Sequence, residues 1–242
     1  MFDAARVGFG VAWEIDQAAA RLVDDGILGG VMIVAVSSTD ARLRDFAPES
    51  LLSMMPGEAQ QAIETAFGGP GRSKAYARTL LDEVMPSVRV RFPDHPPPDR
   101  TWLIGSSMGA VVSLEMLADH PKTFAGAALL SLHLSFLPLS VDQPVAEGFL
   151  AAVSVTVERW AKERLPPASG THRFWVDASG DDIDRFYARP HGALAHALIT
   201  LGYRAGDDFV RRIYPGVGHN EAAWRDRVED ALRFAATNVA RT

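Results

Sequence analysis

Short apolar runs alternate with amphipathic stretches along the chain, and this alternation predicts βαβ units built on a mostly parallel sheet. Residues 31–36 (VMIVAV) are apolar and β-branched, follow Gly29-Gly30, and predict a buried strand. Residues 74–85 place Ala77, Leu80, Leu81 and Val84 at helical spacing, with Pro86 as the stop. Residues 93–98 (PDHPPP) predict a stiff, extended connection. A short strand at 101–104 precedes a helix at 110–118. That helix closes at Asp119-His120-Pro121, because the residue before proline is pushed out of the helical region. Further along come a buried strand at 124–134, a helix at 145–165 ahead of Pro166-Pro167, and a strand at 173–176. A helix at 192–201 ends at Gly202, a strand follows at 209–214, and 221–239 predicts a last amphipathic helix. The expected fold class is therefore α/β, a mostly parallel sheet flanked by helices.

With 242 residues, 48% of them hydrophobic, the chain is long enough for one large domain spanning 1–242. The formal charge of -6 supplies no basic face to neutralise phosphates, so neither nucleic acid nor an anionic membrane surface is an expected partner. Cysteine is absent, which excludes disulfides, a thiol nucleophile and thiolate metal sites. No run of 18 apolar residues predicts a membrane span, and the first residues do not read as a signal peptide, so the expected compartment is cytoplasmic. No pattern calls for a metal or an organic cofactor.

The segment 104–110 (IGSSMGA) holds G-x-S-x-G as Gly105, Ser107 and Gly109. On its own this pattern is weak. Its place, directly after an apolar strand and directly before a helix, is where a nucleophile elbow must lie. Such a turn leaves little room for side chains on either flank, which accounts for the two glycines, and it holds the serine hydroxyl clear of the sheet. The helix beginning there aims N–H groups at the site, and the N–H of Met108 is the expected oxyanion donor. The competing reading is a glycine-flanked turn that only packs closely.

A serine hydroxyl needs a base. His219, in 214–224 (YPGVGHNEAAW), follows a strand and precedes the last helix, the place such a base takes in the order serine, acid, histidine. It also reads as a plain helix-start residue. His95, His120, His133, His172, His191 and His196 read as surface or core residues. His133 sits in an apolar run, as a satisfied core residue or a pocket wall. The spacing of His191 and His196 is not that of a metal pair. The orienting acid must lie between Ser107 and His219, and 173–187 (RFWVDASGDDIDRFY) offers Asp177, Asp181, Asp182 and Asp184. Asp177 falls inside the strand pattern. Asp182 and Asp184 both lie just past it, and the residues alone do not decide between them. At least two of the four are expected to form an ordinary solvated turn. The segment 136–169 is a candidate cap or pocket wall, with Trp160, Phe149 and Leu150 as lining, or else as helical core.

The chain resembles the putative-esterase family of α/β hydrolases, which includes esterase D and enterochelin-esterase-like proteins. The resemblance rests on Phe2-Asp3 with Trp13, on Arg42 with Asp45-Phe46-Ala47-Pro48, and on Asp82-Glu83 with Pro86. It continues through IGSSMGA, 120–131 (HPKTFAGAALLS), Ile183-Asp184 with Tyr187, and 215–224 (PGVGHNEAAW). It implies an α/β-hydrolase fold and hydrolysis of a carboxylic ester, a small-molecule substrate, through an acyl-enzyme, with Ser107 as nucleophile and His219 as base. The family's L-D-x-x-Y segment is matched by 183–187, so the resemblance implies Asp184 as the acid, with Asp182 the alternative. Relatives carry strands ending in a D-G-x-N-like segment ahead of the Phe-Asp pair. This chain starts at that pair, which leaves two expectations open: a start that is misplaced or truncated, or an N-terminally shortened sheet with an open edge and one site wall lost. One oxyanion donor in place of two would lower the rate by roughly 10²–10³. An impaired, binding-only protein and an acyltransferase using the same residues are the alternative readings.

Overall fold

The computed structural model describes residues 12–137 and 145–237; Phe2 and Asp3 lie outside them. Its sheet has four parallel strands in the order β1-β2-β3-β4: β1 is Trp102–Ser106, β2 Gly126–Leu130, β3 Arg173–Ser179 and β4 Phe209–Tyr214. Parallel neighbours need long crossovers, and helices supply them. Met108–Asp119 links β1 to β2, Glu147–Arg164 lies between β2 and β3, and Ala188–Thr200 between β3 and β4.

The period of two along each strand divides the core. Leu103, Ala127, Leu129, Phe174, Val176 and Phe209 face one side, against Val111, Leu114, Trp160 and Leu194 from the crossover helices. Ile104, Ala128, Leu130, Trp175 and Val210 face the other, against Leu22 of the helix Ile15–Asp24 and Val228 and Leu232 of the helix Val228–Ala236. Both faces of the sheet are thereby covered, as a parallel sheet requires.

Several boundaries differ from those the sequence predicts. Residues 31–36 pair with no strand among the described residues, and Val31, Ile33 and Val34 are exposed. A strand needs a ladder partner as well as β-branched composition, and here a groove of about 1160 Å³ separates 29–36 from Trp102 and Ile104 of β1. The helix expected to stop at Pro86 runs on to Arg91. Ser73–Arg78 passes into a π-helical segment, Thr79–Val84, and Pro86 then falls in the first turn of Met85–Arg91, where its missing N–H is tolerated. The strand expected over 124–134 covers only Gly126–Leu130, because Ser131 takes a left-handed φ of 44°. β3 extends to Ser179 and includes Asp177. The last helix is broken into Glu221–Arg225 and Val228–Ala236, and Arg227 at the break is buried.

The segment 136–169 contributes the helix Glu147–Arg164 to the core; residues 138–144 lie outside those described. Trp160 is fully buried and donates its indole N–H to Ser50 Oγ at 2.9 Å. Phe149 packs against the same core from a half-buried position, and Leu150 is half-buried.

Candidate active site

The strand-to-helix turn after β1 places Ser107 at φ 53°, ψ -126°, a conformation that side-chain-bearing residues rarely adopt. Its N–H still donates to Leu130 O at 2.9 Å, so the last sheet hydrogen bond precedes the bend. Gly105 is required by close approach: a Cβ there would lie 2.3 Å from Gly109 O and 2.8 Å from Ala110 N, both backbone atoms of the following helix. Gly109 is not. A Cβ there meets nothing nearer than Phe46 Cε2 at 3.9 Å, so the steric argument for two glycines holds for one. Gly105→Ala is therefore expected to destabilise the fold by several kcal/mol, roughly 3 or more, whereas Gly109→Ala stays within about 1 kcal/mol. Thermal melts of the two variants measure the contrast, and equal midpoints would contradict it.

Met108 is the first residue of the helix, so its N–H has no carbonyl four residues back to bond. Asn220 caps the helix Glu221–Arg225 by accepting from Ala223 N at 3.0 Å, which leaves His219 immediately ahead of the cap. His219 Nε2 lies 3.0 Å from Ser107 Oγ, and its Nδ1 lies 2.5 Å from Asp184 Oδ1. An ionised carboxylate only accepts, so Nδ1 carries the proton and Nε2 is left to accept from the serine hydroxyl. The Asp184 side chain has no solvent exposure, and that of His219 has 13%. Burial works against ionisation of Asp184. The hydrogen bond and charge of His219, with donors from Ser131 and Ser179, outweigh it and hold Asp184 below the usual carboxylate range.

The acidic turn is open to solvent at Asp181, yet its carboxylates are tied to the histidine loop. Asp181 Oδ2 accepts from Gly216 N at 2.6 Å, and Asp182 Oδ2 accepts from His219 N at 3.1 Å. Asp182, itself at φ 56°, therefore grips the backbone of the histidine loop while Asp184 holds the ring. Asp177, inside β3, is fully buried and pairs with Arg227 Nη2 at 3.1 Å. Asp177 and Asp184 are buried, whereas Asp181 is exposed and Asp182 half-buried in the turn, each with a backbone N–H as partner.

The remaining histidines separate into core and surface. His133 is buried beside the site, its ring centroid 6.4 Å from that of His219. It accepts the Tyr187 hydroxyl at Nδ1 (2.5 Å) and donates from Nε2 to Leu137 O (3.1 Å). His191 is buried and donates from Nε2 to Leu132 O at 2.7 Å. His172 is buried with Nε2 at 2.7 Å from Pro121 O. His196 is exposed and pairs with Glu158, His120 caps the helix Met108–Asp119, and His95 is partly exposed at a turn. Among the described residues no group of three or more His, Cys, Asp or Glu side chains could hold a metal ion. Among them, too, no helix is long and apolar enough to cross a membrane.

Desolvation lowers both His133 and His191 to about 4 from an ordinary 6.5. Between those pH values the unfolded chain binds two protons that the folded chain refuses, so stability falls as the pH drops through that window. Burial pushes Asp177 up to about 6 against the pull of Arg227, Trp175 and Ser131. Below that pH the folded state gains a proton there, which offsets part of the histidine effect. The expected net loss between pH 6.5 and 4 is on the order of 3 kcal/mol. Denaturant melts across this range measure it, and a flat or rising stability would contradict it.

Ser131 and Arg227 stand beside the site, and no signal in the sequence singles them out. They come together only through tertiary packing. The large groove beside β1 is elsewhere, and neither Ser107 nor His219 lines it.

The sequence model of the family described as "Putative esterase" matches residues 7–237. No curated protein matches the chain at a significant level. Among solved structures, enterochelin esterase from Shigella flexneri is similar at 18% identity and a TM-score of 0.52, covering 69% of this chain and 38% of that one. A ferulic acid esterase is similar at 15% identity and a TM-score of 0.56, covering 93% of this chain and 78% of that one. The BES protein from Bacillus cereus is similar at 14% identity and a TM-score of 0.51, covering 89% and 75%. This chain thus spans well under half the length of the enterochelin esterase it matches. At these identities the structural likeness establishes the fold, that of the α/β-hydrolase type. With a family model covering nearly its whole length, the chain belongs to the putative esterase family.

Proposed function

We propose that the protein is a serine hydrolase that cleaves a carboxylic ester through an acyl-enzyme. Ser107 is the nucleophile, His219 the general base and then acid, and Asp184 the orienting acid. The observation that carries this reading is the continuous contact Ser107 Oγ–His219 Nε2 (3.0 Å) and His219 Nδ1–Asp184 Oδ1 (2.5 Å). It joins residues 112 and 35 positions apart in sequence. Family membership supports ester substrates.

In the first half-reaction, Ser107 Oγ bonds to the ester carbonyl carbon as its proton passes to His219 Nε2. The resulting imidazolium stays paired with ionised Asp184. The carbonyl oxygen becomes an oxyanion that the Met108 N–H can stabilise. Collapse breaks the bond to the leaving alkoxide, which takes the proton from Nε2 and departs as the alcohol. In the second half-reaction water donates its proton to Nε2 and attacks the acyl carbon, and Ser107 leaves reprotonated as the carboxylic acid is released.

The test is turnover of p-nitrophenyl esters of increasing acyl length by the purified chain, with the acid product identified. Release of p-nitrophenol together with the free acid is expected. Transfer of the acyl group to an added alcohol in place of water would make the enzyme an acyltransferase with the same residues. A folded protein that turns over no ester would support the binding-only alternative and overturn the proposal.

A further inference from the structure

Ser131 is fully buried and holds a left-handed φ of 44°, and its hydroxyl touches three groups. Trp224 Nε1 is 3.0 Å from Oγ, Arg227 Nη2 is in hydrogen-bond contact with it, and Asp184 Oδ2 is 2.6 Å away. A hydroxyl has one hydrogen and two lone pairs, whereas an indole N–H and a guanidinium only donate. Trp224 and Arg227 therefore take the two lone pairs, and the one hydrogen must point at Asp184. Arg227 is fixed in its turn by Asp177 Oδ1 at 3.1 Å. That same carboxylate accepts from Ser131 N at 2.9 Å and from Trp175 Nε1 at 2.8 Å.

Asp184 Oδ2 thus receives two donors, the Ser131 hydroxyl and the Ser179 N–H at 2.7 Å, while Oδ1 is left for His219. Two donors on one oxygen fix the rotation of the carboxylate about its Cβ–Cγ bond. They also fix the direction in which the other oxygen accepts. The buried guanidinium polarises the hydroxyl that does this, and cooperative chains of this kind strengthen each link. Trp224 lies in the last turn of Glu221–Arg225 and Arg227 in the break that follows, and both reach this hydroxyl.

We propose that Ser131, polarised by Arg227, is a positioning residue that aims the Asp184 carboxylate at His219. This rests on the triad reading of Ser107, His219 and Asp184. Ser131 touches no reacting atom; it acts through Asp184.

The test is Ser131→Gly in the full chain. Glycine adopts φ 44° without strain, so the variant loses the hydroxyl while the turn is relieved. Ser131→Ala, which keeps the Cβ packing, carries the same test if the glycine variant unfolds. On folded protein, kcat for p-nitrophenyl acetate is expected to fall about ten- to a hundredfold with KM unchanged, the loss of one charge-assisted hydrogen bond. The rate of fluorophosphonate labelling at Ser107 should fall by the same factor. The downfield proton resonance of His219 Nδ1–H should shift and exchange faster with water. A folded variant with kcat within twofold of wild type and that resonance unmoved overturns the positioning role alone. Wild-type protein that neither turns over the ester nor labels at Ser107 overturns the triad reading, and this inference with it.

Discussion

Ser107→Ala lowers kcat/KM for p-nitrophenyl esters by about 10⁴–10⁶, to the level of the reagent blank, in a protein that melts within a few degrees of wild type. The size of the effect follows from the chemistry: without Oγ there is no atom to take the acyl group, and members of such a unit are not additive. The small effect on stability follows from the contacts. Ser107 Oγ bonds only His219 Nε2 among the described residues, and alanine occupies the same strained φ of 53° with one hydrogen bond fewer. Steady-state kinetics of the two proteins, with melting curves alongside, check both halves. Alanine protein that retains even a tenth of the wild-type rate contradicts the nucleophile assignment.

Asp184→Asn lowers kcat by about 10⁴ while Asp182→Asn costs on the order of tenfold or less. An amide at position 184 presents either a nitrogen or a weaker acceptor to His219 Nδ1. Facing it with N–H drives the imidazole into the tautomer with the proton on Nε2. That nitrogen then donates toward Ser107 and cannot take its proton. Asp182 contacts His219 through the backbone N–H at 3.1 Å, and an asparagine oxygen can still accept there. The ratio of the two kcat losses, measured at one pH on folded protein, decides which carboxylate orients the ring. Equal losses, or a larger loss at Asp182, contradict the assignment of Asp184.

The sequence was legible where a role is written in a few adjacent residues. Gly105 and Ser107 lie at a strand-to-helix junction, and the close approach of Gly109 O to Gly105 shows why the first glycine is needed. His219 was legible because a loop between a strand and the last helix returns to the sheet end that carries Ser107. Which carboxylate meets the His219 ring was not legible by physics. Asp181, Asp182 and Asp184 lie within one short turn, and the positive φ at Asp182 sends neighbouring carboxylates to different targets. Only the likeness of 183–187 to a family segment pointed to Asp184. The buried supports escaped altogether. Ser131 and Arg227 are 96 positions apart and meet through the packing of two helix ends against β2 and β3. Residues 31–36 show the converse failure: a strand-like composition says nothing about whether an edge lies near enough to pair with.

The most direct measurement is the site of covalent modification by a fluorophosphonate probe, read by mass spectrometry of the digested wild-type protein. The account predicts one modified peptide, carrying the adduct on Ser107. It also predicts that the adduct vanishes in His219→Ala, where the base is gone but the hydroxyl remains. Labelling at a different serine, or none in folded protein, would contradict it.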